Sequence, residues 1–231
     1  MRLHFTLSPN TEPVSFAYQH KLTGVFHGWL KRNELHDVIS LYSLAWLDGS
    51  RRVRNHLDFP NGAKWFVSFF EDEHAEKLVT GALEQPEMFG GMRVTRIEQQ
   101  STPDFGAKYT FKVASPVFIK GRQPPNGKPP HHYLYCEPEA DALMTATLIH
   151  KMDEGCRESG ETRFTEADKQ VKVAFDREFA NPKIKLVRIK NIDHKTSVCP
   201  IIIKGTPAAV RFAWNVGIGN GTGSCFGSLK E

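Results

Sequence analysis

Along the first hundred residues the apolar positions change period in a fixed order. RLHFTL (2–7) places Leu3, Phe5 and Leu7 on one face of a strand. Pro9 and Pro13 end it, Ser15 stands as an N-cap, and Leu22, Val25, Phe26, Trp29 and Leu30 fall at the spacing of a helical core stripe, predicting a helix from about 16 to 31. LYSLAWL (41–47) and KWFVSFF (64–70) read as strands. DGSRRVRN lies between them as a basic loop, and FPNG (59–62) supplies turn residues ahead of the second strand. A short helix over 72–83 and a strand over 92–99 complete the order β-α-β-β-α-β, the ferredoxin-like split unit.

After one more strand and a linker, the order recurs from HYLYC (132–136) onward. GAKYTFKVASPVFIK (106–120) reads as a further strand and an edge segment. RQPPNGKPPHH (122–132), with four prolines and a glycine, predicts a linker dividing the chain into domains 1–122 and 123–231. HYLYC is strand-like, and a helix follows from Pro138 to about Asp153. VKVAF (171–175), KIKLVRIK (183–190) and SVCPIIIKG (197–205) read as strands. Thr206-Pro207 open a helix to about Asn215, and FGSLK is a last strand. The adjacent Leu186 and Val187 break the alternation of KIKLVRIK and predict a bulge. The fold class expected is α+β, two tandem ferredoxin-like (βαββαβ) domains, the second with one additional strand.

Composition narrows the setting. Mean hydropathy is −0.40, and no apolar run is long enough to span a bilayer. MRLHFTLSPN is broken by His4 and Pro9 and does not read as a secretory signal, so a cytoplasmic protein is expected. Cys136, Cys156, Cys199 and Cys225 have no CxxC spacing and predict reduced thiols rather than a zinc site. His131 and His132 are adjacent, so on a strand they point to opposite faces and cannot share an ion with Cys136. No metal and no cofactor is expected. The net charge of +4 is unevenly placed: residues 108–136 hold five basic residues and no acid, and residues 177–211 hold eight basic residues against Glu178 and Asp193. Such clusters point to a polyanionic partner.

GIGNGTGSCFGSLKE (217–231) concentrates glycine at Gly217, Gly219, Gly221, Gly223 and Gly227. Glycines at this density free the backbone for φ > 0 and can bring N–H groups close to an anion. A mononucleotide loop is excluded, because Cys225 and Phe226 stand where Lys-Ser/Thr is needed, and Thr222 stands where a dinucleotide fingerprint has its third glycine.

Gly217-Ile218-Gly219 and Phe226-Gly227 resemble the glycine-rich signature of the RAMP superfamily, in which G-hydrophobic-G is followed by a short polar insert and G-F-G; Cys225 occupies a glycine position. Ala114-Ser115-Pro116 is a looser match. With Tyr18-Gln19-His20, His27 and Leu35-His36-Asp37 near the other end, the chain resembles the CRISPR-associated endoribonucleases that cut repeat RNA into guide-sized units. The resemblance implies two RAMP-type domains. It also implies metal-independent cleavage of CRISPR precursor RNA within repeats by 2′-hydroxyl attack, leaving a 2′,3′-cyclic phosphate and a 5′-hydroxyl. His36 is the implied catalytic residue and His27 its partner, one acid and one base, with His20 positional. Histidine suits both proton roles, its ordinary pKa of about 6.5 keeping both forms available near neutrality.

Many relatives carry a lysine soon after the L-H motif; here Ile39, Ser40 and Leu41 stand there, leaving Arg51, Arg52, Arg54 or Lys204 to neutralise charge. RNA contacts are expected at Gly217, Gly219, Gly221, Gly223 and Gly227, and at Lys183, Lys185, Arg188, Lys190 and Lys204. The implied partner is CRISPR repeat RNA, with no membrane; contacts with effector-complex proteins and a homodimer stay open. The alternative is a non-catalytic RAMP-type RNA-binding subunit of a CRISPR effector complex. A small-ligand phosphate-binding module would explain the glycine loop but not the basic stretches.

Overall fold

Leu3, Phe5 and Leu7 alternate inward along β1 (Arg2–Leu7), the strand on which the first sheet is laid. The computed structural model describes residues 1–31, 39–160 and 162–231. After β1 come α1 (Gln19–Leu30), β2 (Tyr42–Leu44), a hairpin of β3 (Arg51–Val53) and β4 (His56–Asp58), β5 (Ala63–Phe69), α2 (Asp72–Glu84) and β6 (Val94–Gln100). The sheet order is β2-β5-β1-β6 with all neighbours antiparallel, the ferredoxin-like order. The β3–β4 hairpin is inserted between the second and third strands of that motif. Leu22, Phe26, Trp29 and Leu30 bury the predicted α1 stripe, and the Trp29 ring lies 5.4 Å from Phe5. The helix begins at Gln19, later than expected, because the Ser15 hydroxyl accepts from Ala17 N–H ahead of it and Tyr18 holds the cap position.

The second unit repeats the plan. Its elements are β7 (Lys108–Val113), α3 (Glu139–Ser159), β8 (Lys172–Phe175), β9 (Lys183–Ile189), β10 (Ile192–Val198), β11 (Ile201–Lys204), α4 (Pro207–Val216) and β12 (Leu229–Lys230). The order β12-β7-β11-β8 is again antiparallel throughout, with the β9–β10 hairpin inserted at the corresponding point. Thr206 caps α4 by accepting from Ala209 N–H at 3.2 Å, and Pro207 occupies its first turn, as the sequence predicts. Ala140, Met144, Leu148 and Met152 of α3 pack with Val173, Ile201 and Ile203 to form the second core. The fold is thus α+β with two tandem ferredoxin-like units.

Several sequence expectations are corrected. β7 pairs with β11 and β12, so the second sheet opens before the expected boundary at 122/123, and the proline-rich stretch is an internal connection between β7 and α3. HYLYC forms no strand: Tyr133 N–H is taken by Ile119 O, and Glu137 N–H turns back to Leu134 O. Pro200 divides SVCPIIIKG into β10 and β11. The β9–β10 register runs unbroken from Lys183↔Val198 to Ile189↔Ile192; the irregularity lies instead between Thr6 and Leu7, where β1 meets β6. DGSRRVRN contributes β3 and its turn rather than a loop.

Arg2 joins the two units. It points from the face of β1 opposite Leu3, and its Nε donates to Ser68 Oγ (2.7 Å). One terminal nitrogen donates to Trp214 O (3.1 Å) and Leu229 O (2.9 Å) of the second unit. The guanidinium lies 3.3 Å from the Trp214 ring centre and 4.1 Å from that of Phe66. Burial pushes its pKa down to about 8 while the charge of Glu231 pulls it up, so it stays charged at neutral pH. Among the described residues no helix is long and apolar enough to cross a membrane.

Candidate functional site

The chain leaves α4 at Gly217 with φ 71° and folds back on itself. Ile218 N–H donates to Gly227 O (2.8 Å), Asn220 N–H to Phe118 O (2.8 Å) and Gly227 N–H to Pro116 O (2.9 Å). Gly217, Gly219, Gly223 and Gly227 are buried; Gly221 is exposed. A Cβ at Gly227 would overlap the Ile218 carbonyl oxygen, and one at Gly219 would lie 2.5 Å from Phe118 O. These glycines let backbone pack on backbone, so Gly221 is the member of the set left at the surface. Cys225 adopts the left-handed conformation its glycine-like position demands (φ 65°), and burial pushes its thiol up to about 12.

Two chain segments meet this loop. From α1, Thr23 Oγ1 lies 3.8 Å from Cys225 Sγ. His27 is one turn further along the same helix face, half-buried, its ring edge-on to Phe26 at 5.1 Å. His20 is exposed at the opening of the helix. From the other side comes the segment that starts at Ile39: the Ser40 and Tyr42 hydroxyls lie beside Gly223. His36, with Leu35 and Asp37, lies outside the described residues.

Between α3 and the loop runs a groove of about 640 Å³. Arg122, His150 and Lys151 line it together with Ser40, Asn220 and Thr222. Lys151 is 4% exposed; its Nζ donates to Val216 O at the end of α4 (3.0 Å) and to Thr222 Oγ1 (2.9 Å), so it both caps a helix C-terminus and fastens the loop. Desolvation holds its pKa down at about 7. Asn220 Oδ1 accepts from Lys120 N–H at 2.8 Å, which leaves its Nδ2 as a donor.

The expected RNA-contacting cations do not form one patch. Lys185 is exposed on the hairpin face of Val187, its ammonium 4.3 Å from the Trp46 ring centre, while Val187 packs on Phe118 and Phe226 of the loop region. Arg188, on the opposite hairpin face, is held by both oxygens of Asp193 at 2.6 and 2.7 Å. Lys183 and Lys190 are exposed, Lys190 at the hairpin tip. Lys204 lies in the other sheet, directly paired with Lys108 on one side and Lys172 on the other, an arrangement of like charges that destabilises the sheet unless an anion covers it. Arg51, put forward to neutralise charge, pairs with Asp58 at 2.7 Å on the β3–β4 hairpin. His131 bonds Glu137 (2.6 Å), while His132 stacks on His194 at 6.0 Å.

Arg122, His150 and Lys151 were not among the sequence candidates. Lys151 carried a signal, since it falls at the i, i+4, i+7 spacing of the buried stripe that holds Met144 and Leu148.

A family model described as CRISPR associated protein Cas6, C-terminal, matches residues 98–231. The chain belongs to the Cas6 family. No curated protein matches the sequence. Among solved structures, a Cas6-related protein from Pyrococcus furiosus matches with a TM-score of 0.85 at 15% identity, over 100% of this chain and 97% of that one. A structure described as an RAMP protein binding different RNA substrates matches with 0.82 at 16% identity, over 100% and 98%. A Cas6 product complex, from Thermus thermophilus, matches with 0.67 at 15% identity, over 99% and 98%. At such identities the likeness is one of fold, and Cas6 membership rests on the family model.

Proposed function

We propose that this Cas6-family protein is a metal-independent endoribonuclease that cuts CRISPR precursor RNA within its repeats. What supports this is the convergence of α1 and the segment beginning at Ile39 on one glycine-rich loop. His27 comes from the first; His36 stands three residues before Ile39 in the chain, a reach of at most about 11 Å. One imidazole removes the proton of a 2′-hydroxyl, whose oxygen attacks the adjacent phosphorus. The other protonates the departing 5′ oxygen, leaving a 2′,3′-cyclic phosphate and a 5′-hydroxyl. RNA approaches along the open face of the second sheet, where Lys108, Lys172 and Lys204 stand abreast, with Lys183 and Lys190 reaching from the hairpin and Gly221 at the loop surface.

The test is cleavage of the repeat RNA in EDTA with chemical mapping of both new ends. His36→Ala and His27→Ala should each slow cutting by roughly 10²–10⁴-fold while leaving RNA affinity in place. A strict requirement for magnesium, or full-speed cutting by both variants, would overturn the mechanism. Tight binding without any cutting by the unaltered protein would make it an RNA-binding subunit instead.

A further inference from the structure

The groove between α3 and the glycine-rich loop has the make-up of an anion site. Arg122, His150 and Lys151 line it, and no Asp or Glu is among its described lining residues. Arg122 is exposed and makes no ion pair with another described residue. Lys151 is buried, yet its described partners are a carbonyl and a hydroxyl, not a carboxylate. An ammonium has three donors, and the described residues take two. A buried cation without a counter-ion is costly, and an anion arriving from the open side of the groove offsets that cost. Asn220 presents on the same wall an amide donor that no described residue takes up. Ile39 and Ser40, the first described residues after the His36 segment, form part of the opposite rim.

We propose that this groove holds a backbone phosphate of the RNA next to the bond that is cut, with Arg122 and Lys151 as its cationic partners and the Asn220 amide as a further donor. The proposal rests on the reading of the protein as an RNA-cutting enzyme and supplies the positive charge that the sequence lacks after Leu35-His36. Lys151 also makes occupancy measurable. On its own helix stand His150 and Glu154, and Arg122 lies across the groove; α4 brings the Val216 carbonyl and the loop the Thr222 hydroxyl. Burial holds the lysine near a pKa of about 7, so a phosphate beside it raises that value, and binding above neutrality takes up a proton.

The experiment uses repeat RNA carrying 2′-O-methyl groups throughout, which binds but has no attacking hydroxyl. Binding to the unaltered protein, Arg122→Ala and Lys151→Met is followed across a salt titration. Proton uptake is read by calorimetry at about pH 8, one unit above the lysine's value, in two buffers of different ionisation enthalpy. Arg122→Ala should weaken binding about tenfold and flatten the slope of log K against log salt by roughly 0.7. The unaltered protein should take up a proton on binding, and Lys151→Met should not. An unchanged slope together with unchanged proton uptake overturns the proposal. Should Lys151→Met fail to fold, Arg122→Ala, at an exposed position, decides alone. Cleavage of unmodified repeat RNA is run in parallel. If the protein does not cut but both binding effects appear, the enzyme reading fails and the groove stands as a phosphate site. If it cuts and neither effect appears, the groove alone is refuted.

Discussion

Replacing Arg2 by methionine probes the joint between the two units. Methionine fills the apolar stem but removes three hydrogen bonds, at 2.7, 2.9 and 3.1 Å, and the stacking on Trp214 and Phe66. The Ser68 hydroxyl can turn to another acceptor, but the carbonyls of Trp214 and Leu229 lose this donor in a buried place, at about 1–3 kcal/mol each. Loss of the cation–π contacts adds about 1–2 kcal/mol. Against this stands relief from burying a guanidinium, worth several kcal/mol. The losses sum to about 3–8 kcal/mol, so with about 3 kcal/mol recovered the net expectation is a destabilisation of up to about 5 kcal/mol. Because the lost acceptors belong to the second unit and the side chain to the first, the loss should fall on their coupling. Equilibrium urea unfolding, followed by tryptophan fluorescence and by circular dichroism, should show coincident transitions for the unaltered protein and separated ones for Arg2→Met. Arg2→Lys should not restore coincidence, since an ammonium cannot stack flat on two rings while serving three acceptors. A loss below about 1 kcal/mol with coincident transitions would show that desolvation cancels the bonds and that the units are held by apolar contacts alone.

Two further outcomes follow from the same physical chemistry. The Lys151 pKa is about 7 folded against an ordinary 10.5, so between those values the unfolded chain binds the extra proton and stability rises with pH. Urea unfolding near pH 7 and pH 8.5 should therefore show the unaltered protein gaining up to about 2 kcal/mol over Lys151→Met, and parallel slopes would mean the ammonium is not buried. Gly227→Ala, which sets a Cβ against the Ile218 carbonyl at φ 59°, should unfold or severely destabilise the loop, whereas Gly24→Ala, with open space at its helical Cβ, should stabilise by about 0.5–1 kcal/mol. Similar thermal shifts for the two would remove close backbone packing as the reason for the loop's glycines.

What was legible in the sequence followed burial. β1, α1, β5 and α2 each put a strongly periodic apolar set against one core, so their residues declared themselves locally. β3 and β4 did not, because Arg51 and Arg52 are exposed and His56 and Asp58 only half-buried on a two-stranded ribbon with no apolar alternation. β7 was seen as a strand but placed in the wrong unit, since sheet membership depends on β11 and β12, about a hundred residues away. The glycine loop was legible as a loop but not in its use. A glycine that frees an N–H for an anion and one that admits a neighbouring carbonyl are the same letter, and here Gly219 and Gly227 are of the second kind. The tandem ferredoxin-like plan and the family resemblance are legible in the sequence; the cations of the groove are not, because Arg122 sits in a proline-rich stretch that reads as a linker and Lys151 inside an apolar stripe.

The paired insertion of β3–β4 and β9–β10 separates chassis from attachment. Each hairpin departs after the second strand of its unit and returns at the start of the third, so the four strands keep their neighbours whatever the excursion contains. Each also ends in a two-residue tip, Arg54-Asn55 or Lys190-Asn191, whose first residue carries a cation at positive φ. The two ports are therefore where length and charge can be rewritten by transplant beyond their anchors, which are Leu57 paired with Val14 for β3–β4 and Val187 packed on Phe118 and Phe226 for β9–β10.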